Sequence, residues 1–137
     1  MAGNLSCKTP HWGGITVSLV EESNMDVAVD PETAHAADVF LKRIAQRYPV
    51  RRAILFGSRA RHEHTDESDA DIAVILSGVH GERTDIVLDM AGTSFDVLLE
   101  TGVLVGALPI WEDELEHPER FSNPVLIENI RREGITL

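Results

Sequence analysis

The run "DADIAVIL" places two carboxylates, Asp69 and Asp71, one residue apart where an apolar stretch begins. In an extended strand, residues i and i+2 project to the same side, with Cα atoms roughly 6.5–7 Å apart. Asp69 and Asp71 therefore point together, while Ala70, Ile72 and Val74 point the other way. Close carboxylates repel, and burying them costs several kcal/mol unless something positive sits between them. An all-oxygen pair suits a hard cation such as Mg²⁺, which also takes phosphate oxygens. A D-x-D inside a loop is usually solvated; this pair instead opens a buried strand, which favours chemistry.

Upstream, "RRAILFG" ends in Gly57-Ser58, followed by Arg59 and Arg61. A glycine after a buried strand lets the backbone turn sharply and approach a ligand closely. A serine opening a helix adds a hydroxyl and backbone N–H groups suited to phosphate. The loop lacks the Gly-Lys-Ser/Thr ending of a Walker A motif, and by itself a Gly-Ser step is an ordinary strand-to-helix turn. A third acid, Asp96, lies in "SFDVLLE", an apolar setting where an unpaired carboxylate is expensive. Read as a strand, this segment puts Asp96 on one face with Ser94 and Leu98, opposite Phe95 and Val97. Laid beside "ADIAVIL", it would bring Asp96 to Asp69 and Asp71. Three such acids support two-metal chemistry, with ions ~3.5–4 Å apart. Glu100 is a fallback at the strand end, and Asp85 and Asp89 read as solvated helix charges. His62 and His64 lack a third zinc ligand and read as solvated loop residues; His35 reads as a surface or boundary residue.

The elements that must position these groups have local signals. Asp30 is an N-cap candidate, Pro31 suits the first helical position, and Ala34, Ala37, Leu41, Ile44, Ala45 and Tyr48 recur at helical spacing until Pro49. "RRAILFG" and "ADIAVIL" read as buried strands, "SRARHEH" as a short helix and "TDESD" as a loop. Residues 82–91 read as a crossover helix and "SFDVLLE" as a third strand. "VLVGALPI" is compatible with an edge strand or a turn. Asn123-Pro124 starts a last helix, "PVLIENIRRE", which Gly134 ends; Trp111 and Phe121 read as anchors of that helix or of a partner. The expected fold class is α/β (α+β), a small mixed sheet of four or five strands packed with helices.

Composition sets the outer bounds. The 137 residues carry a formal charge of −11, which argues against a general nucleic-acid-binding role. No apolar run approaches the ~20 residues of a membrane span, and the N-terminus lacks the pattern of a secretory signal. The single cysteine, Cys7, fits a reducing compartment, so a cytoplasmic location is expected. Residues 1–25 read as a loose extension, Met25 as a natural start, and 26–137 as one domain.

Gly57-Ser58, ten intervening residues and Asp69-Ala70-Asp71 together resemble the GSx10DxD signature of the DNA polymerase beta-like nucleotidyltransferase superfamily. The compactness and the tail "LPIWEDELEHPERFSNPVLIENIRREGI" resemble its minimal nucleotidyltransferase (MNT) branch. The resemblance implies that Asp69 and Asp71 ligate two Mg²⁺ ions. Asp96 would ligate the catalytic ion and help deprotonate the incoming hydroxyl. Gly57 and Ser58 would hold the triphosphate, with Arg59 and Arg61 assisting. It implies transfer of AMP from ATP to a hydroxyl, with release of pyrophosphate. It further implies a HEPN-domain toxin as partner, in a hetero-oligomer, with a toxin tyrosine as acceptor and this chain as the antitoxin of a toxin–antitoxin module. A stand-alone enzyme acting on a small molecule is the alternative, disfavoured because no acceptor-holding domain is evident. A non-catalytic binding antitoxin is another, disfavoured by an intact carboxylate triad.

Overall fold

The computed structural model describes residues 29–137; the expected extension at 1–25, Met25 and Cys7 lie outside the described residues. Helix α1 (Pro31–Ile44) begins as its sequence dictates. The Asp30 carboxylate accepts the Thr33 backbone N–H at 3.1 Å and the Thr33 hydroxyl at 2.7 Å, which satisfies a donor that would otherwise be orphaned at the helix start. Ala36, Ala37, Phe40, Leu41 and Ile44 face the core. After Pro49 the chain enters β1 (Val50–Phe56), turns through the single-turn helix α2 (Ser58–Arg61), and returns along β2 (Ala70–Leu76). The two strands are antiparallel, and Phe56 pairs with Asp71 at the mouth of the sheet. The segment left open between strand and turn is β3 (Val105–Trp111), parallel to β2. A short helix α4 (Glu112–Glu116), a 3-10 turn at Pro118–Arg120, helix α5 (Pro124–Glu133) and strand β4 (Ile135–Thr136) complete the chain. The strand order is β3-β2-β1-β4, a four-stranded mixed sheet.

One element departs from the sequence reading. "SFDVLLE" is not a strand; it is the second half of helix α3 (Arg83–Thr101). Parallel strands need a long crossover, and α3 supplies it between β2 and β3. Met90, Thr93, Ser94 and Val97 are buried, at helical spacing, whereas Phe95 is 56% and Leu99 is 70% exposed. Gly102 ends the helix in the left-handed region at φ 84°, its N–H bonding to the Leu98 carbonyl, the usual glycine stop.

The sheet is covered on both faces. Ala70, Ile72, Val74 and Leu76 of β2 pack with α1 and the buried residues of α3. Ala73 and Ile75 pack on the other side with Leu115, Phe121, Ile127 and Ile130 of the C-terminal elements. Phe121 thus anchors α5 as expected, whereas Trp111 joins the first cluster. Arg83, at the start of α3, ties the layers together. Its guanidinium lies 4.9 Å from the centroids of both the Trp111 and Phe121 rings. It donates to the buried Glu114 carboxylate at 3.1 and 2.5 Å and to the Pro109 carbonyl at 2.7 Å.

Met90→Ala is expected to cost about 2–5 kcal/mol, because it empties a core position. Phe95→Ala, on the exposed side, should cost under about 0.5 kcal/mol. Urea denaturation of the two variants checks the helical reading; an equal loss from both would contradict it.

Candidate active site

The mouth of the sheet is built around Asp71. Its side chain lies on the same face as Phe56 of β1 and Gly106 of β3, the residues paired with it on either side. Both flanking glycines face its carboxylate. A Cβ built on Gly57 would lie 2.3 Å from Asp71 Oδ2, and one on Gly106 would lie 3.1 Å from Oδ1. Gly57 is also held at φ 78°, a conformation open to glycine but strained for other residues. The glycine at the end of β1 is therefore required twice, by backbone conformation and by the carboxylate against it. Gly106 is not among the site residues expected from the sequence, although a glycine inside an apolar run is a signal of close approach.

Asp69 sits just ahead of β2 and is exposed, while Asp71 is half-buried. Burial raises the Asp71 pKa above its ordinary value, the nearby charge of Asp69 raises it further, and Arg61 offsets part of this. The pair is thus strained by its own charge, as the sequence implied. Arg61 is exposed and exchanges ion pairs with Glu63 at 3.0 Å and Glu133 at 3.7 Å. Ser58 is half-buried at the turn.

Arg59 does something other than the expected phosphate contact. Its side chain is fully buried. It donates to the Thr33 hydroxyl at 2.8 Å and to the carbonyls of Ser68, Thr65 and Asp66 at 3.0, 3.4 and 3.5 Å. With its donors engaged inside the protein, it anchors the loop between α2 and β2 to the start of α1. That loop delivers Asp69. His64, on the same loop, is not a solvated residue: its Nε2 lies 3.5 Å from Asp30 Oδ1, and its buried Nδ1 has no partner among the described residues.

The third acid is the main correction. Asp96 lies on the exposed side of α3, because its segment is helical and turns Val97, not Asp96, toward the core. The strand beside β2 is β3, and on the face of Asp71 it carries Gly106 and Leu108. The fallback Glu100 bonds Arg43 at 2.7 Å. Among the described residues, no group of three or more His, Cys, Asp or Glu side chains could hold a metal ion. The Asp69–Asp71 pair nevertheless fits one hard cation: Asp71 is half-buried with the charge of exposed Asp69 acting on it, and a cation would offset the burial and the repulsion that raise Asp71. Among the described residues, β3 brings no further carboxylate to Asp71 for a second ion.

Residues 40–107, from within α1 to within β3, match the family model "Polymerase beta, Nucleotidyltransferase". The match contains Gly57, Ser58, Asp69 and Asp71. No curated protein matches the chain. The crystal structure of a "putative nucleotidyltransferase" from Sulfolobus solfataricus superimposes with a TM-score of 0.39 at 16% identity, covering 78% of this chain and 86% of that one. No helix among the described residues is long and apolar enough to cross a membrane.

Two outcomes test the geometry. Asp71 has a folded-state pKa above the ordinary 3.8, so its charged form disfavours the fold as pH rises through that folded value. Asp71→Asn should therefore raise the melting temperature at pH 7, and the gain should shrink as pH falls toward 3.8. A constant gain across that range would contradict the charge argument. Gly57→Ala should cost about 1–3 kcal/mol in urea denaturation, more than Gly106→Ala, whose neighbour need give only a few tenths of an ångström.

Proposed function

We propose that the chain binds a nucleoside triphosphate at the mouth of its sheet and transfers the nucleotidyl group to a protein hydroxyl. The observation that carries this reading is the meeting of the Gly57 turn with the Asp71 carboxylate inside the segment matched to the nucleotidyltransferase model. Asp69 and Asp71 would hold Mg²⁺, which when bound would neutralise charge on the triphosphate oxygens. Gly57 and Ser58 shape the turn that would receive the triphosphate. Arg59 fixes the loop before Asp69, so the pair is held in place before substrate arrives. The acceptor oxygen bonds the α-phosphorus as the bond to the departing pyrophosphate breaks, and the hydroxyl proton passes to solvent. ATP as the nucleotide, and a tyrosine of a HEPN-domain toxin as the acceptor, are the finer terms of this proposal. They rest on the GSx10DxD resemblance, and an acidic chain of charge −11 suits a basic partner.

A second reading is favoured by one observation. With Asp96 on the outside of α3 and no acid facing Asp71 from β3, the described residues offer no third carboxylate to take the acceptor's proton. The chain would then act as a nucleotide-dependent binding antitoxin without transfer. One experiment covers both. The full chain is incubated with Mg²⁺, ATP labelled at the α-phosphate and a purified HEPN-domain partner, and its melting temperature is read with Mg²⁺ and ATP alone. Transfer predicts label on a partner tyrosine, lost at least about 100-fold in Asp69→Asn/Asp71→Asn. A raised melting temperature without label supports the binding reading. If Mg²⁺ and ATP leave the melting temperature unchanged, and no label transfers, both readings fail.

A further inference from the structure

Helix α3 has a second apolar side. Its core-facing side carries Met90, Thr93 and Val97. On the opposite side Leu88 is 66%, Phe95 is 56% and Leu99 is 70% exposed. With Gly92 they are spaced 4, 3 and 4 residues apart, the rhythm of a seam that receives another helix. Leu88 to Leu99 span about 16 Å along the axis. Gly92 has nothing within 4 Å of a built Cβ, so the middle of the stripe is shallow.

Charge along the stripe is one-sided. Asp85, Asp89, Asp96 and Glu100 form a row on one flank, while Thr84, Val87 and Leu98 carry no charge on the other. Two of the acids are answered from α1 and the turn after it: Arg47 and Tyr48 bind Asp89, and Arg43 binds Glu100. Asp85 and Asp96 make no ion pair among the described residues. A second copy of this chain would bring the same acidic row and no base on its own stripe. Residues 1–28 offer one lysine against Glu21, Glu22 and Asp26. Neither supplies the complementary charge.

We propose that the outer side of α3 is the docking surface for a basic amphipathic helix of a partner protein. The partner's apolar residues lie along Leu88, Phe95 and Leu99, and its lysines or arginines face Asp85 and Asp96. This is helix-on-helix recognition, with apolar contact giving affinity and the acidic row giving orientation and partner choice. Asp96 then belongs to this surface and not to the sheet mouth.

The test uses the full-length chain and two labelled helical peptides with leucines at the 4-3-4 spacing. One carries lysines along one flank, and its twin carries glutamates there. Binding is followed by fluorescence anisotropy at low and high salt, and circular dichroism checks that each variant is folded. The lysine peptide should bind at least tenfold more tightly than its twin. Phe95→Ser/Leu99→Ser should weaken it at least tenfold. Asp85→Asn/Asp96→Asn should weaken it at least threefold and flatten its salt dependence. Equal binding of the twins, or no effect of either double variant, overturns the proposal. So does a full-chain dimer in sedimentation that Phe95→Ser dissociates, which makes a second copy the occupant. A photocrosslinker at position 95 that captures residues 1–28 of its own chain also overturns it.

Discussion

The partly buried charge of Asp71 is the constraint on which the site depends. It stands where β1, β2 and β3 come level, with Phe56 and Gly106 as its register partners. A side chain on either neighbouring glycine would press on its oxygens. Glycine at both positions therefore leaves room for the carboxylate. Burial and Asp69 together make the charged form costly. A protein that keeps such a group at a sheet mouth gains from it only when something positive arrives there. The electrostatic strain and the proposed function are two descriptions of the same arrangement.

That arrangement requires a fixed loop, and Arg59 supplies the fixing. A loop between antiparallel strands is entropically costly to hold still, and its carbonyls would ordinarily be satisfied by water. Here one guanidinium collects three of them and reaches the α1 cap through Thr33. Asp30 binds the same Thr33, so the helix cap, the buried arginine and the loop before Asp69 form one continuous polar network. Such networks hold well when fully satisfied and cost dearly when a member is lost. The Asp30 N-cap, visible as a local helix signal, thus also contributes to positioning the site.

Much of this was legible in the sequence where the signal is local. Asp30-Pro31 and Asn123-Pro124 start helices as read, with side chains of Asp30 and Asn123 accepting from the residues three ahead. β1, the single helical turn and β2 fell where the apolar runs placed them, and the alternation in "DADIAVIL" put Asp71 opposite Ile72 and Val74. The failures involve information that is not local. "SFDVLLE" is a short apolar window that satisfies a period of two as well as one of 3.6, and periodicity alone does not choose between them. The choice is made by β3, which needs a crossover before it, and by Met90, Thr93 and Val97, which claim the core side. Nothing in "GSRAR" reveals that the Arg59 side chain folds inward to meet a helix 26 residues upstream instead of reaching out to phosphate.

Moving Asp96 from a strand to a helix changes the logic of the charges. A triad at the sheet mouth would have accounted for every acid in that apolar stretch by one demand, the binding of two cations. With two acids there and the third on α3, two separate demands remain. At the mouth, the proposal needs Asp69 and Asp71 to hold only a single hard cation bearing its own waters or phosphate oxygens, since Mg²⁺ seldom relies on an all-protein cage. On α3, Asp96 lies beside an exposed apolar stripe, and Asp85 one seam-length away has the same setting. An acid in the first place tunes chemistry by its distance from phosphate. An acid in the second tunes which partner is tolerated, because a mismatched charge against it is more costly than a matched one is helpful. The chain's negative charge is thus divided between the sheet mouth, where the proposed cation would sit, and a helix face, where the proposed base-rich partner would dock.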